Sequence, residues 1–176
     1  GGLVMLGKAR LNGAGGTAFI EGLDNRPYLQ YGGTDDTHDC GALAYVRVEY
    51  GGSVFTVNNE INSFTWGACG SKTVAHHLQA HYGKDDTFEW FGGTADLKYA
   101  VGSYGADDYA DWQLGWRGRV QYLVGVQHPG TGLGNRGIEA DNSEFGATDQ
   151  PFSDPKVWNI TFVGPGVAAQ DETTGD

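Results

Sequence analysis

The chain has 176 residues, with 22 acidic side chains against 11 Lys and Arg, a net charge of −11, and 30 glycines. This length fits one domain, and 39% hydrophobic residues are too many for a disordered chain. The acidic balance excludes a nucleic-acid partner, because phosphates require a basic patch. With no run of about 18 apolar residues, the sequence also predicts no transmembrane segment.

The two ends of the chain differ in character. The sequence opens Gly1-Gly2-Leu3-Val4 without an initiator Met or a basic segment, so we expect that a leader was removed or that more chain precedes it. The apolar start predicts a strand within a sheet. Residues 167–176 are small, polar and acidic, which predicts a flexible tail.

Two cysteines, Cys40 and Cys69, could form one disulfide if their strands are neighbours. Two buried free thiols are the alternative, and the sequence leaves both open. A disulfide would favour the periplasm or the exterior of the cell, where thiols become oxidised.

An internal repeat is the most informative feature of the sequence. The segment His81–Trp90 returns as Ser103–Trp112 at a shift of 22, with the same Tyr, Gly, Asp-Asp and Trp positions. Weaker copies occur at shifts of 23, 24 and 32, the last of which implies an insertion within 56–62. A final copy at 157–164 follows a long polar excursion, 129–156.

A period of 22–24 residues indicates stacked supersecondary units. Helical periodicity and the leucine-rich consensus are both missing, while each unit contains a short alternating segment followed by Gly or Asp. The prediction is an all-β, right-handed parallel β-helix of about five or six rungs. It covers 1–166, includes the excursion 129–156, and is followed by the tail 167–176.

The repeat also predicts which side chains face inward. One inward ladder contains Val46, Leu78, Val101 and Val124, and a second, aromatic ladder contains His76, Tyr99 and Tyr122. Aromatic residues in register with the repeat predict core filling, with an exposed platform for sugar rings as the alternative. These residues are Phe64, Trp66, Phe88, Trp90 and Trp112, with Trp116 in addition.

Several motifs resemble those of a family of secreted bacterial right-handed parallel β-helix proteins that includes lipoproteins. They are GGLVMLGKA at the start, YVRVEYGG, DDTFEWFGG, GWRG and RGIEADN. The resemblance extends over nearly the whole chain to Gly164. It implies the β-helix fold and a secreted protein, and it implies no particular activity.

Paired carboxylates are the main chemical candidates. Asp85-Asp86 and Asp107-Asp108 should stack on adjacent rungs, with Asp35-Asp36 and Asp111 as neighbours. The preferred interpretation is turn capping by Asp. Calcium binding is the second interpretation, since close carboxylates repel unless a cation or a proton intervenes. Catalysis by the pairs is the third.

The remaining polar residues indicate surface contacts and not a metal or catalytic site. His77 and His81 are expected on the surface and His76 in the core, without a zinc site. The excursion exceeds ordinary loop lengths, which indicates a function. Its charged side chains, Arg136, Glu139, Asp141 and Glu144, are predicted to contact a partner protein.

Two functional hypotheses follow. The leading one is a non-catalytic structural or accessory subunit that docks on a larger extracytoplasmic assembly of envelope proteins. The alternative is a glycan-binding or glycan-cleaving β-helix module that uses the Asp pairs and Trp112 or Trp116. No catalytic residue and no cofactor other than Ca²⁺ are predicted, and the location is periplasmic or extracellular.

Overall fold

Two five-stranded parallel sheets make up most of the protein. The structure is a computed structural model that describes residues 1–13, 15–20, 25–56, 59–129, 136–143 and 146–166. Sheet 1 contains, in spatial order, β1 (Leu3–Leu6), β7 (Phe64–Gly67), β9 (Phe88–Phe91), β11 (Asp111–Gln113) and β13 (Glu139–Ala140). Sheet 2 contains β4 (Ala42–Glu49), β8 (Val74–His81), β10 (Leu97–Ser103), β12 (Arg119–Val126) and β14 (Lys156–Val163).

The other elements lie in the connections between these sheets. Near the N-terminus, β2 (Ala18–Phe19) pairs antiparallel with β3 (Gln30–Tyr31), and a short 3₁₀ helix (Pro27–Leu29) lies between them. A second antiparallel pair, β5 (Ser53–Thr56) and β6 (Asn59–Ile61), lies where the repeat predicts an insertion. Among the described residues, no helix has the length and apolarity that a bilayer crossing requires.

The chain alternates between the sheets to form five rungs. Each rung places one strand in sheet 1 and the next long strand in sheet 2, and the strands of neighbouring rungs pair in parallel within each sheet. The predicted parallel β-helix is therefore confirmed. The right-handed sense follows the general rule for parallel crossovers and stays a prediction.

The inward ladders of sheet 2 differ from the prediction by one residue. Leu78 lies opposite Ala100, and not opposite Val101, which pairs with Val124 and is exposed with it. The reason is a bulge in each strand, where one residue with positive φ is skipped in the pairing. The inward column is Val46, Leu78, Ala100, Leu123 and Ile160.

The predicted second inward ladder is wrong for the same reason. The bulged residues Tyr99 and Tyr122 are 42% exposed and point away from the core. The partly buried His76 precedes the bulge of its own strand. A left-handed φ at a tyrosine is rare in strands, so periodicity alone cannot place it.

The aromatic core lies against sheet 1, as the register of the repeat predicts. Trp66 stacks on Trp90 with ring centroids 5.1 Å apart, and Phe64 stacks on Phe88 at 5.3 Å. On the next rung, Trp116 and not the register partner Trp112 stacks on Trp90, at 4.5 Å. These side chains are buried and form the centre of the protein.

A disulfide links Cys40, which precedes β4, to Cys69, which follows β7. It therefore ties the first rung to the second. Close by, Gly93 turns the chain from β9 toward β10 with φ of 78°. A Cβ atom at this position would lie 2.3 Å from the carbonyl oxygen of Cys69, so only glycine fits.

The structure describes the predicted excursion 129–156 in part and leaves out the predicted tail. The excursion 129–156 contains β13, which belongs to sheet 1, so part of the excursion is itself a rung. Residues 130–135 and 144–145 lie outside the described residues, as does the predicted tail 167–176.

Removal of the disulfide should lower the stability of the fold. A double variant, Cys40→Ala with Cys69→Ala, opens a link between positions 29 residues apart. Loop-closure entropy then predicts a loss of about 3–4 kcal/mol in the free energy of unfolding. Urea denaturation of the variant and the oxidised parent measures this difference. Equal midpoints would contradict a stabilising role for the link.

Candidate functional site

A repeated acidic motif precedes and enters the strands of sheet 1. Asp85-Asp86 and Glu89 on one rung correspond to Asp107-Asp108 and Asp111 on the next. In each copy the Asp pair lies in the turn before the strand, and the third acidic residue lies within the strand.

The parallel register stacks these carboxylates in columns. Glu89 lies opposite Asp111, and Asp111 lies opposite Glu139 of β13. The turns stack as well, because the backbone N–H of Thr87 donates to the carbonyl oxygen of Asp108. We call these seven residues the acidic cluster: Asp85, Asp86, Glu89, Asp107, Asp108, Asp111 and Glu139.

Hydrogen bonds hold the buried members of the acidic cluster in place. The backbone N–H of Asp108 donates to Oδ1 of Asp86 over 2.9 Å. The side-chain amide of Asn62 donates to Glu89, and the backbone N–H of Arg136 donates to Asp108. The cluster is thus fixed by neighbouring rungs.

Two groups within the acidic cluster have the spacing of metal ligands. One oxygen from each of Asp85, Asp86 and Asp107 lies within 4.8 Å of the others, and the same holds for Asp86, Glu89 and Asp111. Three of the four residues predicted for Ca²⁺ therefore converge. The fourth, Asp108, bonds to Asp86 through its backbone and lies in neither group.

The sequence prediction missed Glu89 and Glu139 as members of this cluster. The available signal is the third acidic position of the motif, three residues after the Asp pair, which both copies share. Glu139 has no such signal because the Asp pair is absent from its rung. Only the pairing of β11 with β13 brings it in.

Burial and mutual repulsion raise the pKa values of three carboxyls in the acidic cluster. Burial and the nearby charges of Asp111 and Asp85 raise the pKa of Asp86 well above its ordinary value. Burial and a hydrogen bond with Glu139 raise the pKa of Asp108 to about 8. Burial raises the pKa of Asp111 to about 7 despite its hydrogen bond with Glu89.

The structure separates Asp35-Asp36 from the acidic cluster. Asp36 accepts hydrogen bonds from Arg10 over 2.8 Å and from Arg117 over 3.0 Å. These guanidinium groups hold the pKa of its carboxyl well below the ordinary value. Asp35 caps a local turn by accepting from Thr37. Both residues act in the fold, and the expectation that they adjoin the other pairs is wrong.

The residues predicted for partner contact lie beside the acidic cluster. Arg136 pairs with Glu139 over 2.6 Å, and Glu139 contacts Asp108. Asp141 is exposed just after β13. Glu144 lies outside the described residues. Whether this surface binds a protein stays a prediction.

The predicted use of Trp112 or Trp116 as a sugar platform is wrong. Trp112 is 7% exposed and Trp116 is fully buried. The indole N–H of Trp116 donates to the carbonyl oxygen of Ala95 over 3.1 Å. Both rings fill the core, because every inward position of a rung must cover the rung below.

A different set of aromatic rings lies on the outer face of sheet 2. The bulged residues stack across four strands, with centroid distances of 4.5 Å from Tyr45 to His77, 4.6 Å from His77 to Tyr99 and 5.0 Å from Tyr99 to Tyr122. We call this row the outer aromatic column. The ammonium of Lys98 lies 5.0 Å from the Tyr99 ring.

A groove lies at one end of the outer aromatic column. Its cavity volume is about 220 Å³, and Trp158 of β14 contributes to its wall with 41% exposure. Gln121 donates to the side chain of Asn159 over 3.2 Å, and Arg119 bonds to Asp96 over 2.9 Å. The lining residues are Asp96, Leu97, Lys98, Arg119, Gln121 and Trp158.

The strands of the two sheets differ in the charged side chains that they contain. The five strands of sheet 1 contain three carboxylates and no Lys or Arg. The five strands of sheet 2 contain one carboxylate, Glu49, and four cations: Arg47, Lys98, Arg119 and Lys156. Three of these cations, Arg47, Arg119 and Lys156, form ion pairs with Glu49, Asp96 and Asp154. The fourth, Lys98, has its ammonium over the rings of Tyr99 and Tyr122.

The fold defines the class of protein: it is a parallel β-helix, with stacked carboxylates along one sheet and an aromatic column on the outer face of the other. A family model described as a pectate-lyase-like beta helix domain matches residues 1–174, and the chain belongs to this family. Comparison with curated proteins finds no match, and neither does comparison with solved structures.

The raised pKa values predict that stability falls as pH rises. The folded state retains protons on Asp108 and Asp111 that the unfolded chain releases near pH 4, so their contribution is present below about pH 4 and is lost through pH 7–8. Each such proton is worth about 1.4 kcal/mol per pH unit, or roughly 3–6 °C in melting temperature. Thermal melts in chelator between pH 5 and 8 measure it.

A neutral isostere tests the origin of this pH dependence. Asp108→Asn keeps the side-chain oxygen that accepts from Arg136, so its melting temperature should vary less with pH than that of the parent. Asp154→Asn, at an exposed residue paired with Lys156, is the matched control and should leave the slope unchanged. A parent melting temperature that rises from pH 5 to 8 would contradict the assignment.

Proposed function

We propose that this chain is a glycan-binding β-helix module that binds an acidic polysaccharide along the outer face of sheet 2. The observation that supports the proposal most is the groove beside the outer aromatic column, which combines an ammonium, an amide and an exposed indole: Lys98, Gln121 and Trp158. The family's description as pectate-lyase-like also points toward glycans.

The geometry of the outer face fits an extended chain. Five strands at a spacing of about 4.8 Å give a binding face about 19 Å long in the direction of the solenoid axis. Neighbouring rings cover the faces of His77 and Tyr99, so these residues present their edges and polar atoms. The better stacking surfaces are Tyr45, 78% exposed, and Trp158 at the opposite edge of the sheet.

The charge on this face favours an anionic sugar such as a uronate. Lys98 and Arg119 both line the groove, and Asp96 offsets one of these charges through its bonds to Arg119. The remaining ammonium of Lys98 can donate to a carboxylate of the polysaccharide. Gln121 adds an amide for neutral hydroxyls.

Binding without bond cleavage is the better-supported form of this proposal. Glycosidases act through a pair of carboxylates, and in this protein the clustered carboxylates lie on the side of sheet 1, away from the groove. In the strands of sheet 2 the one carboxylate, Glu49, pairs with Arg47. Lyase activity remains the finer alternative suggested by the family's description.

The disulfide supports the predicted location. A bond between Cys40 and Cys69 persists in an oxidising compartment, which agrees with a periplasmic or extracellular protein. A module in this location would also encounter polysaccharides outside the cytoplasm.

Calcium is proposed as a structural ion of the acidic cluster. The converging oxygens of Asp85, Asp86 and Asp107 are hard ligands of the kind that Ca²⁺ takes, and a cation would replace the protons held at this site. The ion would hold the turns before β9 and β11 together. The calcium ion is not part of the glycan-binding surface proposed on the outer face of sheet 2.

Docking on a larger assembly remains a second candidate function. The inward residues Leu43, Val46 and Val48 of β4 are half-buried, whereas Leu78 on the next rung is 2% exposed. At the opposite end, Phe162 of β14 is 39% exposed. Within the described residues both ends of sheet 2 are thus incompletely covered, which favours contact with another protein.

Substitutions on the outer face should weaken glycan binding selectively. Calorimetric titration with polygalacturonate should give an affinity that falls about tenfold in Lys98→Ala, because a charged hydrogen bond is lost. Trp158→Ala should lose about two- to tenfold through lost stacking. A neutral glucan should bind more weakly than polygalacturonate to the parent protein.

The control variant for this binding experiment changes residues of the acidic cluster, beside sheet 1. The double variant Asp107→Asn with Asp108→Asn, assayed with Ca²⁺ absent throughout, should bind polygalacturonate like the parent. Loss of binding in this variant, with Lys98→Ala unaffected, would move the glycan site to the acidic cluster and overturn the proposal. The same samples report lyase activity as ultraviolet absorbance of an unsaturated product, and we expect none.

Calcium should stabilise the protein most at high pH. Ca²⁺ binds the ionised carboxylates, so the rise in melting temperature on adding it should be several degrees at pH 8 and smaller at pH 5. Asp85→Asn with Asp107→Asn removes two charges from the ligand group and should abolish the response. Equal responses in this variant and the parent would exclude the ion from the group of Asp85, Asp86 and Asp107 and contradict the proposal.

A further inference from the structure

The described part of the solenoid has an open strand edge at each end. At one end β1 and β4 have a neighbouring strand on one side only, and at the other end the same holds for β13 and β14. An open edge presents a row of backbone N–H and C=O groups with which another strand can pair. The described rungs therefore offer two templates for a further rung.

Inward apolar side chains lose their cover at both ends. Leu123 in β12 is fully buried, whereas its equivalents in the end strands, Val46 in β4 and Ile160 in β14, are half-buried. Phe162 of β14 is 39% exposed, and Leu3 of β1 is 37% exposed. One more rung at either end would remove this apolar surface from water.

The two end strands of sheet 2 share the same backbone bulge. Tyr45 in β4 has φ of 57°, and Asn159 in β14 has φ of 56°. Each is the residue that the pairing with the neighbouring rung skips. A strand like β14 can therefore follow β4 along its eight residues, in the register that β8 uses on the other side of β4.

We infer that a second copy of this chain covers the open end: β13 and β14 of one copy pair in parallel with β1 and β4 of the next, and the solenoid continues from copy to copy. The occupant is a second copy because β14 has the length and the bulge that match β4. This inference specifies a partner for the docking candidate, and it does not depend on glycan binding.

The columns of the solenoid determine which residues meet at the junction. At the inward positions, apolar side chains of one copy meet apolar side chains of the next. These pairs are Val157 with Leu43, Ile160 with Val46, Phe162 with Val48 and, in sheet 1, Ala140 with Met5. On the outer face Trp158 lies opposite Ala44, whose small side chain leaves room for the indole.

Like charges do not meet across the junction. Every charged side chain at a paired position lies opposite an uncharged residue, which avoids the repulsion of like charges on neighbouring strands. These pairs are Lys156 with Ala42, Thr161 with Arg47, Val163 with Glu49 and, in sheet 1, Glu139 with Val4. The net charge of −11 still repels two copies at long range, so added salt should strengthen their association.

The junction is narrow, which limits the strength of the association. Its length is that of an eight-residue strand, about 26 Å, and its width is the distance between packed sheets, about 10 Å. Because this area is small beside ordinary protein interfaces, the copies should associate weakly and reversibly. Each copy uses different surfaces at its two ends, so the contact adds copies along the solenoid axis and gives oligomers without a fixed size.

Sedimentation of the whole chain in chelator tests the inference. As the protein concentration rises from micromolar to millimolar, the average mass should increase steadily from that of one chain, without a plateau at two chains. Thr161 is exposed and would face Arg47 of the next copy. Thr161→Arg should therefore lower the association constant about two- to fivefold, and the matched variant Thr161→Glu should raise it by a similar factor.

Cross-linking tests the register of the junction. Within one copy Arg47 and Thr161 are four strand spacings apart, about 19 Å, whereas across the junction they lie opposite each other at about 5 Å. The double variant Arg47→Cys with Thr161→Cys, treated with a bismaleimide that spans only the shorter distance, should give a ladder of chain multiples. Each single variant should give no ladder. Cys40 and Cys69 do not react, because they are bonded to each other.

Three results would overturn the inference. The first is a parent chain that stays monomeric over the whole concentration range, and the second is an equal association constant in Thr161→Arg and Thr161→Glu. The third is oligomers without the cross-linked ladder, which would place the contact elsewhere on the surface. A monomeric parent that still binds polygalacturonate would leave the glycan proposal intact, so the two failures are distinguishable.

Discussion

Every part of this protein depends on one constraint: a parallel β-helix places equivalent residues of each rung directly above one another. Strand spacing of about 4.8 Å brings such residues into contact, so a single residue type becomes a column. Inside sheet 1 this gives stacked indoles, which is favourable because apolar rings pack closely. Outside sheet 2 it gives the outer aromatic column. In the acidic cluster it gives stacked carboxylates, which repel unless protons or a cation are held between them.

The same constraint stacks carboxylates along sheet 1. Carboxylates repeat along sheet 1, at Glu89, Asp111 and Glu139, while the strands of sheet 2 have a surplus of cations. An acidic protein ordinarily repels a polyanion, and on the proposed glycan face the ammonium of Lys98 is the charge that would oppose this repulsion locally. In the proposal made above, the acidic cluster acts in stability and the outer face of sheet 2 binds the ligand.

Much of this architecture is readable from the sequence, and the exceptions have physical causes. The shift of 22 residues predicts the stacked Asp pairs and the indole core, because identity at a fixed period implies identical positions in successive rungs. The predicted inward ladder is wrong at Val101, because a bulge with left-handed φ at Tyr99 changes which side of the strand the following residues face. Tyrosine rarely adopts this φ, so the sequence does not indicate the bulge. The sequence predicts Glu139 only as a partner contact and misses its place in the acidic cluster, because its strand of two residues lies within the long excursion. In β8 the bulge lies at His77 and changes the parity in the same way, so the periodicity wrongly predicts His76 in the core.

The central claim is that the two sides of the solenoid bind different ions: an anionic glycan on sheet 2 and a cation in the acidic cluster. Amide hydrogen exchange of one sample, measured with polygalacturonate, with Ca²⁺ and with neither, tests it most directly. The account predicts that the polysaccharide slows exchange in β10, β12 and β14, while Ca²⁺ slows exchange in the turns at 85–87 and 107–109. Protection by polygalacturonate confined to those turns, with the strands of sheet 2 unchanged, would contradict it.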